Sequence, residues 1–470
     1  MFDNWRYLAA WHGRTFDGVS EERQVDVAVV GGGPAGMTAA LAASRSGASV
    51  ALIDEYAAVG GQIWRRRFDE VSDPAPASLP ARARALCAEL LASSVELLSG
   101  ATVWAAPSPD VLLLTGAVAR VRARAVVLAT GAYDRPIAFP GWTLPGVLTA
   151  GGAQALAKGQ GVAPGRRVLL AGAGPFLLPV AEQLAKTGAE VVAVAEATKR
   201  RDWLRAGPRM AAYPARLVDY ARYRTSVRRI IWGHVLVRAE GDERVRSATL
   251  APAGPDWAPS GAEKTFEVDA VCTAYGFLPS VDLARALGCG LNGDAVAHDH
   301  DMRTTIPNVF VAGEATGIGG ADLAQVEGEL AGWMAAAHAV RAANGNGRKP
   351  ASTVPDLPSL RRRREKLAGF AEVLGDLFDA RPGLASLATP STVICRCEDV
   401  TAGAIDSAVA AGATTMAALK VVTRCGQGPC QGRTCERLVA SRLPETERFS
   451  ARAPMRPIPL GVLMDVAADS

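Results

Sequence analysis

The sequence predicts an α/β fold made of two β-α-β units with a small helical domain behind them. A β-branched run, Val25–Val30, opens directly into Gly31-Gly32-Gly33-Pro34-Ala35-Gly36. A second run, Val168–Ala171, opens into Gly172-Ala173-Gly174. Five of the eight cysteines crowd between Cys395 and Cys435.

Composition bounds the answer. At roughly 100–200 residues per domain, 470 residues make two to four domains. Hydrophobic residues at 49% and charged residues at 21% exclude disorder. A net charge of +4 excludes nucleic-acid binding by counterion release. Abundant glycine, 48 residues, suits parallel sheets packed closely on helices. No apolar run is long enough to span a membrane, which leaves peripheral association open. Met1–Arg14 has neither the apolar core nor the cleavage site of a signal peptide, and the expected compartment is the cytoplasm. The cysteine spacing fits a reducing compartment and a local thiolate site rather than a disulfide framework.

Residues 1–24 read as an arm, with Trp5, Tyr7 and Trp11 packing on the domain that follows. The first unit, 25–150, runs from strand to glycine turn to an Ala-rich helix, Met37–Ser46, stopped by Gly47. Its second strand, Ser49–Ile53, ends in Asp54-Glu55. Gly31, Gly33 and Gly36 make G-x-G-x-x-G, in which the first glycine permits the tight turn and the second admits a pyrophosphate. The third lets helix and strand pack. Pro34 and Ala35 begin the helix whose N–H groups and dipole attract phosphate. Glu55 is the first choice to accept the adenosine ribose hydroxyls, with Asp54 as its neighbour.

Three further segments point to FAD rather than NAD. Gly61-Gln62 follows Gly60, Ala129-Thr130-Gly131 ends a strand, and Gly313-Glu314 closes the run T-T-I-P-N-V-F-V-A-G-E. Together they resemble the flavoproteins with two dinucleotide-binding domains, the superfamily of thioredoxin and glutathione reductases. That resemblance implies that Glu314, in place of the usual Asp, meets the ribityl chain. The second unit, 151–285, keeps Gly172 and Gly174 but has Leu177 where the third glycine belongs. It is expected either to hold NAD(P) or another nucleotide, or only to support the sheet. Within it, residues 230–272 read as a meander of strands. Residues 286–341 return to the first domain. Residues 342–385 form a linker and a helix whose Arg361–Arg364 run reads as a solvated face.

No Cys follows Gly60-Gly61, so the redox disulfide of the reductases is missing and electrons leave the flavin by another route. The domain at 386–445 offers Cys395-x-Cys397 and Cys430-x₄-Cys435, two close pairs able to hold Zn²⁺ or a [2Fe–2S] cluster. Attachment to a flavoprotein favours the one-electron carrier. Cys425 is the spare, able to replace Cys430, and Cys87, Cys272 and Cys289 read as buried small hydrophobes. The His298-Asp299-His300 run reads as a solvated loop rather than a metal site, and no acid–base residue stands out.

Val393–Val400 and Arg424–Cys435 resemble the bacterioferritin-associated-ferredoxin type of [2Fe–2S] domain in its flavoprotein-fused form. That form occurs in the A chains of opine oxidases, the B chains of hydrogen cyanide synthases and the α chains of D-hydroxyproline dehydrogenases. Tyr133–Val147, Gly172–Pro179 and the 446–470 tail at Arg456–Leu460 are similar to the same group. The resemblance implies an oxidoreductase subunit carrying FAD and [2Fe–2S], with cluster ligands Cys395, Cys397, Cys430 and Cys435. It implies as partners a D-amino-acid-oxidase-like flavoprotein and a small ferredoxin-like [2Fe–2S] subunit, and it leaves FMN at a subunit interface open. The flanking extensions of the sarcosine oxidase α chain are expected to be absent. The competing reading is a stand-alone NAD(P)H-dependent reductase passing electrons through its cluster to a carrier protein.

Overall fold

The computed structural model describes residues 21–73, 76–225, 227–342, 356–443, 448–449 and 451–463. The aromatic arm Trp5, Tyr7 and Trp11 lies outside them.

The first sheet runs, edge to edge, Glu96–Ser99, Val50–Asp54, Glu21–Val30, Val118–Leu128, Val111–Leu114, Val103–Ser108, with Val309–Val311 also pairing on Val118–Leu128. The strands nearest the glycine turn are parallel, which puts their C-terminal ends together. The first strand begins at Glu21, earlier than Val25, because Glu21–Val25 pair with Val118–Ala123. The helix Pro34–Arg45 follows the turn at once, and the long helix Ala321–Ala342 covers it. Their backbones touch: a Cβ on Gly328 would meet the Ala35 carbonyl oxygen at 2.1 Å, and one on Gly332 that of Ala39 at 2.2 Å. Glycines there let two helices approach as larger side chains would forbid.

The second sheet is fully parallel, in the order Ile230–Trp232, Glu190–Glu196, Arg167–Gly172, Ala270–Ala274, Val147–Thr149. Its last strand precedes the expected boundary at 151. Only the middle of 230–272 is a meander, His234–Glu240, Ser247–Pro252 and Lys264–Glu267; the ends of that span belong to the parallel sheet. Two short antiparallel strands, Ala132–Asp134 and Phe277–Pro279, are the double crossing between the sheets.

The cysteine domain is not a separate body on a tether. Ile394, Cys395, Ile405 and Leu419 share one apolar core with Phe139, Trp142 and Val235 of the second unit. Trp142 Nε1 donates to the Val393 carbonyl at 2.6 Å. The tail also has a place: Met455 N donates to the Trp104 carbonyl at 2.8 Å, and Ile458 and Val462 pack on Trp104, Ala105, Val111 and Leu113. No helix among the described residues is long and apolar enough to cross a membrane.

Candidate cofactor sites

Around the first glycine turn the structure brings together most of the residues predicted for the flavin nucleotide. Gly31 has φ +108°, and a Cβ there would strike the Ala129 carbonyl oxygen at 2.2 Å, so the turn lies against Ala129-Thr130-Gly131. A Cβ on Gly36 would meet the Gly31 oxygen at 1.7 Å, which is the close helix–strand packing the third glycine permits. Gly33 differs from both: a Cβ there meets nothing nearer than the Gly61 Cα at 3.9 Å. Open space at a helix N-terminus, with a second glycine facing it, fits a dinucleotide pyrophosphate. Gly60 N donates to the Gly32 carbonyl at 2.8 Å and holds that second turn in place.

Asp54, not Glu55, faces the turn. Its carboxylate accepts from Gly32 N, and from Tyr56 N at 2.7 Å, and burial raises its pKa. Glu55 is exposed. The reason is position: Asp54 is the last residue of its strand, beside the turn at Gly32, while Glu55 has left the strand. Gln62 also sits on the rim, where it donates to Tyr56 Oη at 3.1 Å and accepts from Arg65 at 2.6 Å. The Arg65 Nε nearby is buried without a protein partner, which suits an anionic or carbonyl-bearing ligand.

On the other side of the turn, a Cβ on Gly313 would touch the Ala35 Cβ at 2.7 Å. Glu314 folds back to accept from Gly320 N at 2.7 Å, and burial pushes its carboxyl up to about 7. Glu327 carries no signal in the sequence, yet it is central here. It is 1% exposed and accepts from Gly313 N at 3.0 Å, Thr316 Oγ1 at 2.8 Å and Arg364 Nε at 2.9 Å. Arg361 is likewise pinned to buried Asp301. The four-arginine run is a solvated face only in its middle: Arg362 and Arg363 are exposed, while its first and last members face inward, at helical spacing. The His298-Asp299-His300 run is a loop cap, with Asp299 accepting from Asp301 N and Arg303 N.

The cysteine site gathers five sulfurs. Cys395, Cys425 and Cys435 have sulfurs within 4.8 Å of one another, and all three are buried. Thiols of Cys425 and Cys435 and the N–H groups of Gly426 and Glu398 lower the Cys395 pKa to about 2. Two residues beyond Cys395, Cys397 receives the Cys430 N–H and adjoins the Cys430 thiol. The four cysteines expected as ligands thus fall into two pairs, Cys395 with Cys435 and Cys397 with Cys430. Cys425 stands beside the first pair, a place its spacing did not indicate. The surrounding glycines mainly serve packing: Gly426 and Gly432, at φ +84° and +86°, lie on the Phe449 ring, and Gly428 lies on Cys397. Cys87, Cys272 and Cys289 are buried elsewhere.

Ion pairs stitch this domain to the helix Asp282–Ala286 and the loop after it, which pack on the first sheet although 282–285 lie before the expected boundary at 285. Arg433 Nε meets Asp282 at 2.8 Å, Arg285 meets Glu436 at 3.3 Å, and Arg437 pairs with Asp294. Beside Cys430 lies a cavity of about 340 Å³, whose walls include Tyr133, Trp142, Thr273, Arg396 and Arg433.

At the second turn the structure separates Gly172 and Gly174 from an open cradle. Gly174, the counterpart of Gly33, has φ +108°, and its Cβ would lie 3.5 Å from the Phe378 ring.

The family model for pyridine nucleotide-disulphide oxidoreductases matches residues 25–343, and that for BFD-like [2Fe-2S] binding domains matches residues 393–443. The A chain of opine oxidase from Agrobacterium tumefaciens is 33% identical over 474 residues, 93% of this chain and 91% of that protein. The chain belongs to the family of opine oxidase A chains. A further relative of this family member, hydrogen cyanide synthase subunit HcnB of Pseudomonas aeruginosa, is 30% identical over 94% of this chain and 99% of its own. The fold is that of L-proline dehydrogenase from P. horikoshii, with TM-score 0.60 at 21% identity over 94% of this chain and 80% of that one. The family member is an oxidoreductase whose cofactors are FAD and a [2Fe–2S] cluster, and its relatives are named as subunits of larger enzymes.

Proposed function

We propose that the chain is the electron-relay component of a heteromeric amino-acid or opine dehydrogenase. It takes electrons from an amine-oxidising flavoprotein partner and passes them to an acceptor. The observation that carries this is the fixed docking of the cysteine domain on the flavin-type body through Trp142–Val393, Arg433–Asp282 and Arg285–Glu436. A relay needs two redox centres held at one separation, and a shared core with partly buried ion pairs supplies that rigidity.

In this reading FAD would lie on Gly31, Gly33, Pro34, Ala35 and Gly36, with the exposed Glu55 at the adenosine ribose beside Asp54, Gly61 at the pyrophosphate and Gly313-Glu314 farther along. Bound there, the flavin supplies the exchange between paired and single electrons. Helix Pro34–Arg45 offers its N-terminal N–H groups to the phosphates, and the Gly31–Ala129 contact keeps that turn rigid. Cys395, Cys397, Cys430 and Cys435 would hold the cluster, two from each loop, and it would supply one-electron transfer there. Two separated pairs suit two irons, whereas one zinc needs four sulfurs around a single point.

The test is assembly. Turnover of D-hydroxyproline, octopine, nopaline or proline with an artificial acceptor is expected only when a D-amino-acid-oxidase-like partner is co-expressed. Steady turnover by the pure chain, loaded with FAD and iron, rules the relay reading out.

A further inference from the structure

We infer that the second dinucleotide unit holds no nucleotide and instead serves as the socket for the helix Leu357–Phe378, which fixes the cysteine domain that follows it. The inference deepens the relay reading, because it removes NAD(P)H as an electron source and gives the second sheet a positioning role.

The backbone is the first ground. In the first unit Gly33 is extended and the helix begins at the next residue, Pro34. In the second, Gly174 takes φ +108° and the helix begins at Leu177, two residues beyond Pro175, the counterpart of Pro34. The first two N–H groups of that helix turn back on the turn itself: Leu177 N donates to the Gly174 carbonyl at 3.4 Å and Leu178 N to that of Pro175 at 3.3 Å. Phosphate recognition by a helix start depends on such groups being free.

Occupancy is the second. The Phe378 ring lies against Gly174, where a pyrophosphate would pass, and packs on Trp203 at 5.2 Å. Trp203 is itself boxed by Tyr220 at 4.7 Å and Trp232 at 5.8 Å, and its Nε1 donates to Thr198 Oγ1 at 3.0 Å. Beneath it Glu196, the counterpart of Asp54, accepts from Gly174 N at 3.0 Å and from Thr198 N and Oγ1 at 3.0 and 2.9 Å.

The third ground is the course of the helix. Its start is pinned to the first domain by Arg364–Glu327, and its end to the second unit by Arg209–Asp376 and the Tyr213–Phe370 contact. Immediately after Phe378 the chain stays on that unit, with Arg381 over Trp257 at 5.1 Å and Gly383 N donating to the Asp256 carbonyl at 2.9 Å. Leu384 and Leu387 then enter the core that holds Ile394 and Cys395. Phe378 is therefore a positioning residue for the cluster domain.

The holo chain, with FAD and iron present, is titrated with ADP and separately with NADH, following melting temperature, calorimetric heat and flavin absorbance. No shift, no heat and no flavin bleaching are expected. ADP binding that is lost in Gly174→Val overturns the socket while leaving the relay reading intact, since ADP carries no electrons. In parallel, amide hydrogen exchange is compared in Phe378→Ala and Phe378→Leu. The Ala variant should keep its FAD and iron yet exchange about tenfold faster across residues 393–443, with Leu restoring protection. Unchanged exchange in the Ala variant overturns the anchoring role.

Discussion

The two glycine turns begin alike, Gly31-Gly32-Gly33-Pro34 and Gly172-Ala173-Gly174-Pro175, and end as different devices. In the first, the middle of the turn faces open space and the helix starts at once. In the second, the helix starts late and an aromatic ring fills the approach. A motif states what the backbone can do; what it binds depends on which atoms the rest of the chain brings to it.

The largest test of that difference is a pair of valines. Gly33→Val should leave a folded chain, because nothing but Gly61 Cα at 3.9 Å opposes the new side chain, yet FAD binding should be lost. Gly174→Val should keep FAD and lose stability, since positive φ costs a non-glycine residue about 1–3 kcal/mol. Flavin absorbance and urea melts read both, and FAD retained in Gly33→Val removes the phosphate cradle from this turn.

The cluster sharpens the contrast. Cys430→Ser should abolish the iron–sulfur absorption and leave the flavin, while Cys425→Ser should keep both. The reverse result moves the ligand role to Cys425, whose sulfur lies among those of Cys395 and Cys435. Next in size is the brace. Arg364→Ala strands the buried Glu327 carboxylate and should destabilise the chain by about 3–5 kcal/mol in denaturant melts. A loss below about 1 kcal/mol means that water replaces the arginine.

The smallest effect is a pH dependence at the second turn. Burial pushes Glu196 up to about 7 from its ordinary 4.5, so the native state holds a proton that the unfolded chain releases. Glu196 is then neutral and harmless below about pH 4.5. Stability falls as pH rises from there to 7, by up to about 3 kcal/mol. Glu196→Gln should flatten this slope, and an unchanged slope assigns the dependence to another group.

Much of this was legible in the sequence, for a physical reason. Strand–glycine–helix order and cysteine spacing are local, and local backbone demands select glycine and cysteine directly. Gly31, Gly33, Gly36, Ala129 and Gly313 meet because parallel strands align their ends. That Asp54 closes its strand against Gly32 N while Glu55 stays exposed depends on the strand's last residue, which a hydrophobic run locates only roughly. Glu327, Arg364 and Phe378 were invisible for another reason: each acts through a partner far along the chain, and a buried ion pair reads as ordinary surface charge until both ends are placed. The Arg361–Arg364 run held one signal, since its first and last members share a helix face. The tail's proline and apolar residues match no motif of either unit, and its place on the edge at Trp104 shows only once the sheet is built.

Native mass spectrometry of the intact holo chain, prepared with excess FAD, NADH and iron, tests the central claim most directly. One dinucleotide and one two-iron cluster per chain, the dinucleotide being FAD, is the predicted result. A second dinucleotide bound to the same chain would contradict it.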